Sequence, residues 1–112
     1  MDIRIDDVAK MVHGESRVFE FPRNGRTSQG FLIRYGQEFR AYLNICSHWS
    51  VPLDLGDNDF FHPGMDRIAC KNHGATFRLE DGLCDFGPCF GARLDTYPVV
   101  FEGNSALVTV PD

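Results

Sequence analysis

The segment CKNHGATF, residues 70–77, sets a cysteine and a histidine three positions apart and puts a glycine directly after the histidine. A second pair stands upstream in CSHW, residues 46–49, where one residue separates Cys46 from His48. Between His48 and Cys70 lie 21 residues. Each pair alone is common, but together they supply two thiolates and two imidazoles, which bind zinc and iron–sulfur clusters.

The residues around both pairs predict short antiparallel strands. SRVFEF, residues 16–21, alternates apolar and polar side chains, as a half-buried strand does. Residues 30–46 predict a hairpin that turns at Gly36-Gln37 and ends its second strand at Cys46. Further strands are predicted over 67–70 and 76–82, a hairpin over 96–110 about Gly103-Asn104, and one helical turn over 6–12. We therefore expect an all-β fold with the Cys/His pairs on loops between strands.

Size, composition and charge limit the function. The chain has 112 residues, 43% of them hydrophobic, and we expect a single domain over 1–112. No apolar run reaches the roughly 18 to 20 residues that cross a bilayer, and the N-terminus is acidic, so we predict no membrane, no signal peptide and a cytoplasmic location. The net charge of −5, with scattered basic residues, argues against nucleic acid and favours a basic protein surface as partner.

The spacing of the two pairs helps to choose between metals. Zinc sites with two cysteines and two histidines usually keep Cys with Cys and His with His. Here each segment supplies one of each, so two facing loops would put both thiolates on one side and both imidazoles on the other. That arrangement favours a two-iron cluster with unlike irons, whereas structural zinc in the same four ligands remains an alternative that the colour of the protein would decide.

The order C-x-H and then C-x-x-H resembles the signature of the Rieske family, and the likeness continues through HGATF (73–77), GPC (87–89) and YPV (97–99). The resemblance implies an antiparallel β-sandwich with a small cluster-binding subdomain, whose loops span about 45–90. It also implies one [2Fe–2S] cluster per chain. Its ligands would be Cys46 and Cys70 on the inner iron and His48 and His73 on the outer, more exposed iron.

Three further residues are predicted to surround the cluster. Gly74 lacks a side chain, so we expect backbone N–H groups to approach the sulfides closely, with a plain turn glycine as the alternative. The resemblance assigns Pro88 to a third loop that covers the cluster, and an ordinary turn is again the alternative. Trp49 follows a ligand directly and either shields the cluster, meets a partner or packs in the core. The stretch between the two pairs, 50–65, is predicted to be a long loop.

The resemblance also predicts a low reduction potential. High-potential relatives carry a serine and a tyrosine two and four positions after the second histidine ligand, and their hydroxyls donate to the cluster. Here these positions hold Ala75 and Phe77, which have no donor. The disulfide of those relatives would fall on Val51 and Asn72, so it cannot form.

From these residues we expect a one-electron carrier, a small bacterial Rieske-type ferredoxin that is not itself an enzyme. It would connect a reductase to a terminal enzyme such as an oxygenase, through the exposed edge at His48 and His73. A Rieske oxygenase subunit would need a further domain with a two-His, one-carboxylate iron site. The alternative is a redox-sensing or structural Rieske subunit of a larger complex.

The remaining candidates are given ordinary roles. Cys84 and Cys89 are predicted to be small buried hydrophobes, with a disulfide, a redox-active thiol or a sulfur near the cluster as alternatives. His13 and His62 are predicted to be loop histidines. The pair Phe60-Phe61 is assigned to the core, with an exposed patch as the alternative. The acids Asp54, Asp57 and Asp59 are taken as a solvated loop and, if a docking surface exists, as its first candidate.

Overall fold

The fold is described by a computed structural model that covers residues 1–45, 53, 60–62, 66–70, 74–88 and 90–111. Within these residues the chain forms strands and one short 3-10 turn, Val8–Lys10. The strands are β1 Asp2–Ile5, β2 Ser16–Arg23, β3 Arg26–Tyr35, β4 Glu38–Leu43, β5 Phe61–His62, β6 Arg67–Ala69, β7 Thr76–Arg78, β8 Cys84–Phe86, β9 Thr96–Tyr97, β10 Val99–Glu102 and β11 Ser105–Thr109. No helix among these residues has the length and apolar character needed to span a membrane.

The strands form three antiparallel sheets. The outer sheet has the order β1-β11-β10, the central sheet β2-β3-β4-β9, and the small sheet β5-β6-β7-β8. The small sheet is inserted in the chain between β4 and β9, two neighbours in the central sheet. Both predicted Cys/His segments therefore fall in the part of the sequence that connects these two strands.

The central sheet buries both of its faces. On one face Phe31 and Tyr42 pack with residues of the small sheet. On the other, Leu32 and Ala41 pack with Ala106 and other residues of the outer sheet. Because successive side chains of a strand point to opposite faces, a continuous apolar run such as GFLI in β3 is what a strand between two layers requires. The predicted all-β sandwich is confirmed.

Several predicted elements are confirmed, although the second strand of the hairpin predicted over 30–46 ends at Leu43 and not at Cys46. The hairpin of β3 and β4 turns at Gly36, where φ is +59°, and that of β10 and β11 turns at Gly103, where φ is +63°. Both positions need the left-handed backbone that glycine adopts without strain. The helical turn predicted over 6–12 is the 3-10 turn Val8–Lys10.

Other elements differ from the prediction. The strand predicted over 76–82 ends at Arg78, and the chain then turns. Residues 96–97 do not belong to the C-terminal hairpin: they form β9 and pair with β4. Pro98, which has no N–H to donate to a ladder, separates them from β10. Part of the long loop predicted over 50–65 is strand β5. The sequence reading also missed β1 and β8.

Candidate metal centre

The second predicted ligand segment begins where β6 ends. Cys70 directly follows β6 and is 1% exposed. Its N–H donates to the Ala75 carbonyl at 2.8 Å, and the Gly74 N–H donates to the Cys70 carbonyl at 2.9 Å. Two main-chain hydrogen bonds therefore close the loop from Cys70 to Ala75. His73 belongs to this loop in sequence and lies outside the described residues.

The first predicted ligand segment is closed by a side chain. Asn44 is buried directly after β4, and its Oδ1 accepts a hydrogen bond from the Leu53 N–H at 2.8 Å. Its own N–H donates to the Gln29 carbonyl at 2.9 Å, which fixes Asn44 to β3. Leu53 is fully buried. Cys46, His48 and Trp49 lie between these anchors in sequence, outside the described residues.

A third loop packs against the second. The Phe90 N–H donates to the Gly87 carbonyl at 3.2 Å, so Pro88 occupies the second position of a tight turn, where its fixed φ is favourable. Gly87 has φ of +106°, and a Cβ placed on it would lie 2.8 Å from the Ala75 Cα. Only glycine permits so close an approach, and Gly87 thus brings the third loop onto the residue that ends the second.

The ends of all three loops share one apolar cluster, since Leu53, Cys70, Ala75 and Cys84 are buried together between the central and small sheets. The two segments that carry the predicted ligands therefore leave the same region of the core. Such an enclosure excludes water and lowers the local dielectric around a bound group.

Across the strands of the small sheet, a polar network links β6, β7 and β8. Arg67 Nε donates to Asp85 Oδ2 at 2.8 Å, and the Thr76 hydroxyl donates to Asp85 Oδ1 at 2.8 Å. Burial alone would raise the pKa of Asp85, but the hydrogen bonds from Arg67 and Thr76 together hold it below its ordinary value. Asp85 thus stays ionised and ties the strands that carry the second and third loops.

A buried tyrosine joins the central sheet to the small sheet. The Tyr42 hydroxyl donates to the Leu79 carbonyl at 2.6 Å, and burial raises the pKa of Tyr42 well above its ordinary value. The ring lies so close to Gly82 that a Cβ there would be 2.9 Å from Tyr42 Cε1. The hydroxyl consequently stays protonated and holds the turn after β7 against β4.

Of the four predicted ligands, the described residues include Cys70 alone, and its surroundings fit the predicted group. A thiolate is the donor that iron–sulfur clusters take from proteins. Cys70 is buried at the start of a closed loop, as an inner-iron ligand must be. The roles of Cys46, His48 and His73 stay predictions.

Of the residues that were predicted to surround the cluster, some are described by the structure and others are not. Gly74 has φ of +74° and uses its N–H within the loop, so its turn accounts for the glycine, and an approach to the sulfides stays a prediction. Pro88 is exposed in its turn, and its shielding role also stays a prediction. Trp49, Val51 and Asn72 lie outside the described residues. Ala75 and Phe77 are both fully buried, and neither side chain carries a donor.

The prediction for Cys84 as a small buried hydrophobe is confirmed: it is 1% exposed, and its thiol donates to the Phe86 carbonyl at 3.4 Å. Phe60 is a core residue, as predicted, and stacks on Phe31 with ring centroids 4.0 Å apart. Phe61 is half-buried against the same cluster. Cys89 and the acids Asp54, Asp57 and Asp59 lie outside the described residues.

The two remaining histidines differ. His13 lies in a loop, as predicted; it contacts Asp66 and accepts a hydrogen bond from the Gly36 N–H at 2.9 Å. His62 lies in β5, so its assignment to a loop is wrong. The cause is the shortness of β5, a two-residue strand that pairs with β6 and leaves no periodic pattern in the sequence.

Two residues at the site escaped the sequence reading. Asn44 closes the first loop and Asp85 links three strands, and neither stands at metal-ligand spacing. A signal for Asn44 was available, since an asparagine that directly follows an apolar strand often bonds to nearby backbone. The sequence contains no comparable signal for Asp85, because its partner Arg67 is 18 residues away.

Comparisons with known proteins indicate the family and the fold of the chain. A family model described as the Rieske [2Fe-2S] domain matches residues 4–98. The ferredoxin of carbazole 1,9a-dioxygenase from Nocardioides aromaticivorans IC177 is 27% identical with a TM-score of 0.69, over 96% of this chain and 95% of that one. No curated protein is significantly similar to the chain.

Two other solved structures share the fold. A Sphingomonas yanoikuyae B1 ferredoxin is 23% identical with a TM-score of 0.71, over 99% of this chain and 100% of that one. The terminal oxygenase of carbazole 1,9a-dioxygenase from Novosphingobium sp. KA1 is 20% identical with a TM-score of 0.72, over 99% of this chain but 30% of that one. Because the family model matches most of its length, the chain belongs to the Rieske [2Fe–2S] family, whose domain binds one [2Fe–2S] cluster.

Proposed function

We propose that the chain is a one-electron carrier that delivers electrons to a Rieske oxygenase and receives them from a reductase. The observation that carries the proposal is the two-way coverage with a dioxygenase ferredoxin, 96% of this chain and 95% of that one. The chain has no substrate site of its own in this proposal, and residues 1–112 form one Rieske domain with its cluster-binding loops within about 45–90. The shared apolar contacts of the three sheets support that single domain.

The proposed ligands are Cys46 and Cys70 for the inner iron and His48 and His73 for the outer iron. The burial of Cys70 supports its assignment to the inner position. When bound, a [2Fe–2S] cluster takes up and releases one electron. Asn44 and the Cys70–Ala75 backbone bonds hold the two ligand loops at fixed ends, so little rearrangement accompanies a change of charge.

The proposed exposed edge is the one at His48 and His73, where donor and acceptor proteins approach. Leu53, Ala75 and Phe77 are fully buried, and in this proposal they exclude water from the inner iron. Because the side chains of Ala75 and Phe77 donate no hydrogen bond, less of the added negative charge is stabilised on reduction. We therefore expect a midpoint potential near the low end of the Rieske range of roughly −150 to +300 mV.

Two experiments test the proposal. Protein-film voltammetry should give a midpoint near that low end, and a strongly positive midpoint would contradict the tuning argument. For function, the protein reduced by one electron is mixed in a stopped-flow instrument with each Rieske oxygenase of the source organism. Reoxidation in step with single-turnover product is the expected result. Failure to reduce any of them, although the cluster is intact, would overturn the assignment as an oxygenase ferredoxin.

A further inference from the structure

Large apolar side chains are exposed at two separate places in the described part of the chain, apart from Met1 and Val12 near the N-terminus. One place is the third loop, where Phe86 is 62% exposed and Phe90 is 75% exposed. The other is strand β10 of the outer sheet, where Val100 is 56% exposed and Phe101 55%. We call Phe86 and Phe90 the loop pair, and Val100 and Phe101 the strand pair.

The loop pair stands beside the ligand loops. Gly87, between the two phenylalanines, contacts Ala75, which follows the predicted ligand His73 by two residues. Hydrogen bonds from Phe90 N–H to Gly87 and from Gly91 N–H to the Cys84 carbonyl (3.0 Å) fix the turn. The backbone on either side of this turn is therefore held by hydrogen bonds, and a backbone held in place reduces the entropy lost when a partner covers the two rings.

The charge next to the loop pair is neutralised. Asp85 precedes Phe86, and its carboxylate is paired with Arg67 and bonded by the Thr76 hydroxyl. Although the chain carries a net charge of −5, this strand therefore offers a partner an apolar surface. Exposed aromatic residues are the type enriched at the centre of protein–protein interfaces.

The area of the loop pair indicates what kind of partner it fits. Two aromatic side chains bury at most about 300–500 Å². A stable dimer needs about 800 Å² from each partner, whereas transient electron-transfer complexes bury less than about 1,200 Å² in total. By itself the loop pair is thus too small to hold a stable second copy of this chain, and its area lies within the range of a short-lived redox encounter.

We propose that Phe86 and Phe90 form the docking surface for the acceptor oxygenase, and that they insert against an apolar patch beside its own redox centre. This inference rests on the proposed function. It differs from docking through acidic residues, because contact is made by apolar burial next to the ligand loops. Net charge then affects the rate of encounter, and the loop pair sets how tightly the encounter complex holds.

The test compares two double variants, F86A/F90A and the matched control V100A/F101A. Reduced protein at increasing concentration is mixed with the oxygenase that the unmodified protein reduces, and the half-saturating concentration is measured. We expect F86A/F90A to raise it about tenfold or more, and the control to change it less than about twofold. The factor by which F86A/F90A raises the half-saturating concentration should be the same at low and high salt, because salt does not screen apolar contacts.

The midpoint potential and visible spectrum of each variant report whether the cluster is intact. If F86A/F90A loses cluster, the single variant Phe90→Ala replaces it, since Phe90 is exposed in a turn and supports no core contact. A half-saturating concentration within twofold of the unmodified value would overturn the docking surface while leaving the carrier function in place. Equal losses in both double variants, or a dimer abolished by F86A/F90A, would also overturn it. If the unmodified protein reduces no oxygenase, both proposals fail.

Discussion

The central sheet and the small sheet are built differently. Strands β2 and β3 pair over eight positions, from Ser16↔Ile33 to Arg23↔Arg26. In the small sheet, β5 pairs with β6 over two positions, and the ladder of β7 and β8 is interrupted by an irregularity between Thr76 and Phe77. A long ladder in a four-stranded sheet supplies many hydrogen bonds between strands, whereas strands of two or three residues supply few and depend more on packing and side-chain contacts.

That support comes from side chains and, in our account, from the cofactor. The polar network of Arg67, Thr76 and Asp85 crosses the small sheet, and Tyr42 ties it to the central sheet. Because ligand binding to a site that exists only in the folded state adds to folding stability, the small sheet should depend on the cluster and the central sheet should not.

The largest effect is expected for Cys70→Ala. The variant should lose iron and visible colour, and hydrogen exchange should speed up in the small sheet while the central sheet keeps its protection. The matched control is Cys84→Ala, because Cys84 has the same 1% exposure in the same apolar cluster but is not a proposed ligand. Iron retained by Cys70→Ala, or lost equally by both variants, would contradict the assignment.

A smaller effect is expected for Asn44→Ala, which removes the acceptor of the buried Leu53 N–H. An unsatisfied buried donor costs roughly 1–3 kcal/mol. The opened first loop should release iron to a chelator faster, as followed by loss of visible absorbance. Gln29→Ala is the control, because it removes only the amide contact to Asn44 Nδ2 at 3.3 Å and leaves the bond to Leu53. Equal iron-release rates in the two variants would show that Asn44 does not hold the loop.

Removing the hydroxyl of Tyr42 should weaken the link between the two sheets. Tyr42→Phe keeps the ring and leaves the buried Leu79 carbonyl without this donor, at a cost of about 1–2 kcal/mol in the free energy of unfolding. Burial raises the pKa of Tyr42 above its ordinary 10.0, so the tyrosine's contribution is full below pH 10 and falls as the pH rises further. The difference between wild type and variant in thermal stability should therefore shrink above pH 10. A difference in thermal stability that grows above pH 10 would contradict the raised pKa of Tyr42.

The smallest effect is expected for Asp85→Asn, because Asp85 is partly exposed and such pairs contribute about 1 kcal/mol or less. Its pKa is lowered in the folded protein, so its contribution is present above the ordinary value of 3.8 and is lost as the pH falls through the folded pKa. The stability gap between wild type and variant should be constant at neutral pH and close in acid. Thermal unfolding at a series of pH values measures this stability gap. A gap that widens in acid would contradict the lowered pKa of Asp85.

The predictions that succeeded from sequence rest on local patterns. The family membership, which the Cys/His spacing indicated, and the turns at Gly36 and Gly103 are each encoded within a few consecutive residues. The features that were predicted wrongly or missed depend on residues that are distant from one another in the chain. Strand β9 pairs with β4 across more than fifty residues, and Asp85 meets Arg67 across 18. Strands of two residues such as β5 leave no periodicity to detect, because an alternation needs at least four.

In the proposed cluster the protein ligands of one iron are histidine nitrogens and those of the other are cysteine thiolates. Pulsed electron paramagnetic resonance of the freshly reduced protein distinguishes this arrangement from four thiolate ligands, because magnetic coupling to coordinated nitrogen appears only when imidazole binds the iron. We predict coupling from two nitrogens, with one lost on replacing His48 or His73. A reduced cluster without nitrogen coupling, or a protein with neither iron nor acid-labile sulfide, would contradict the account.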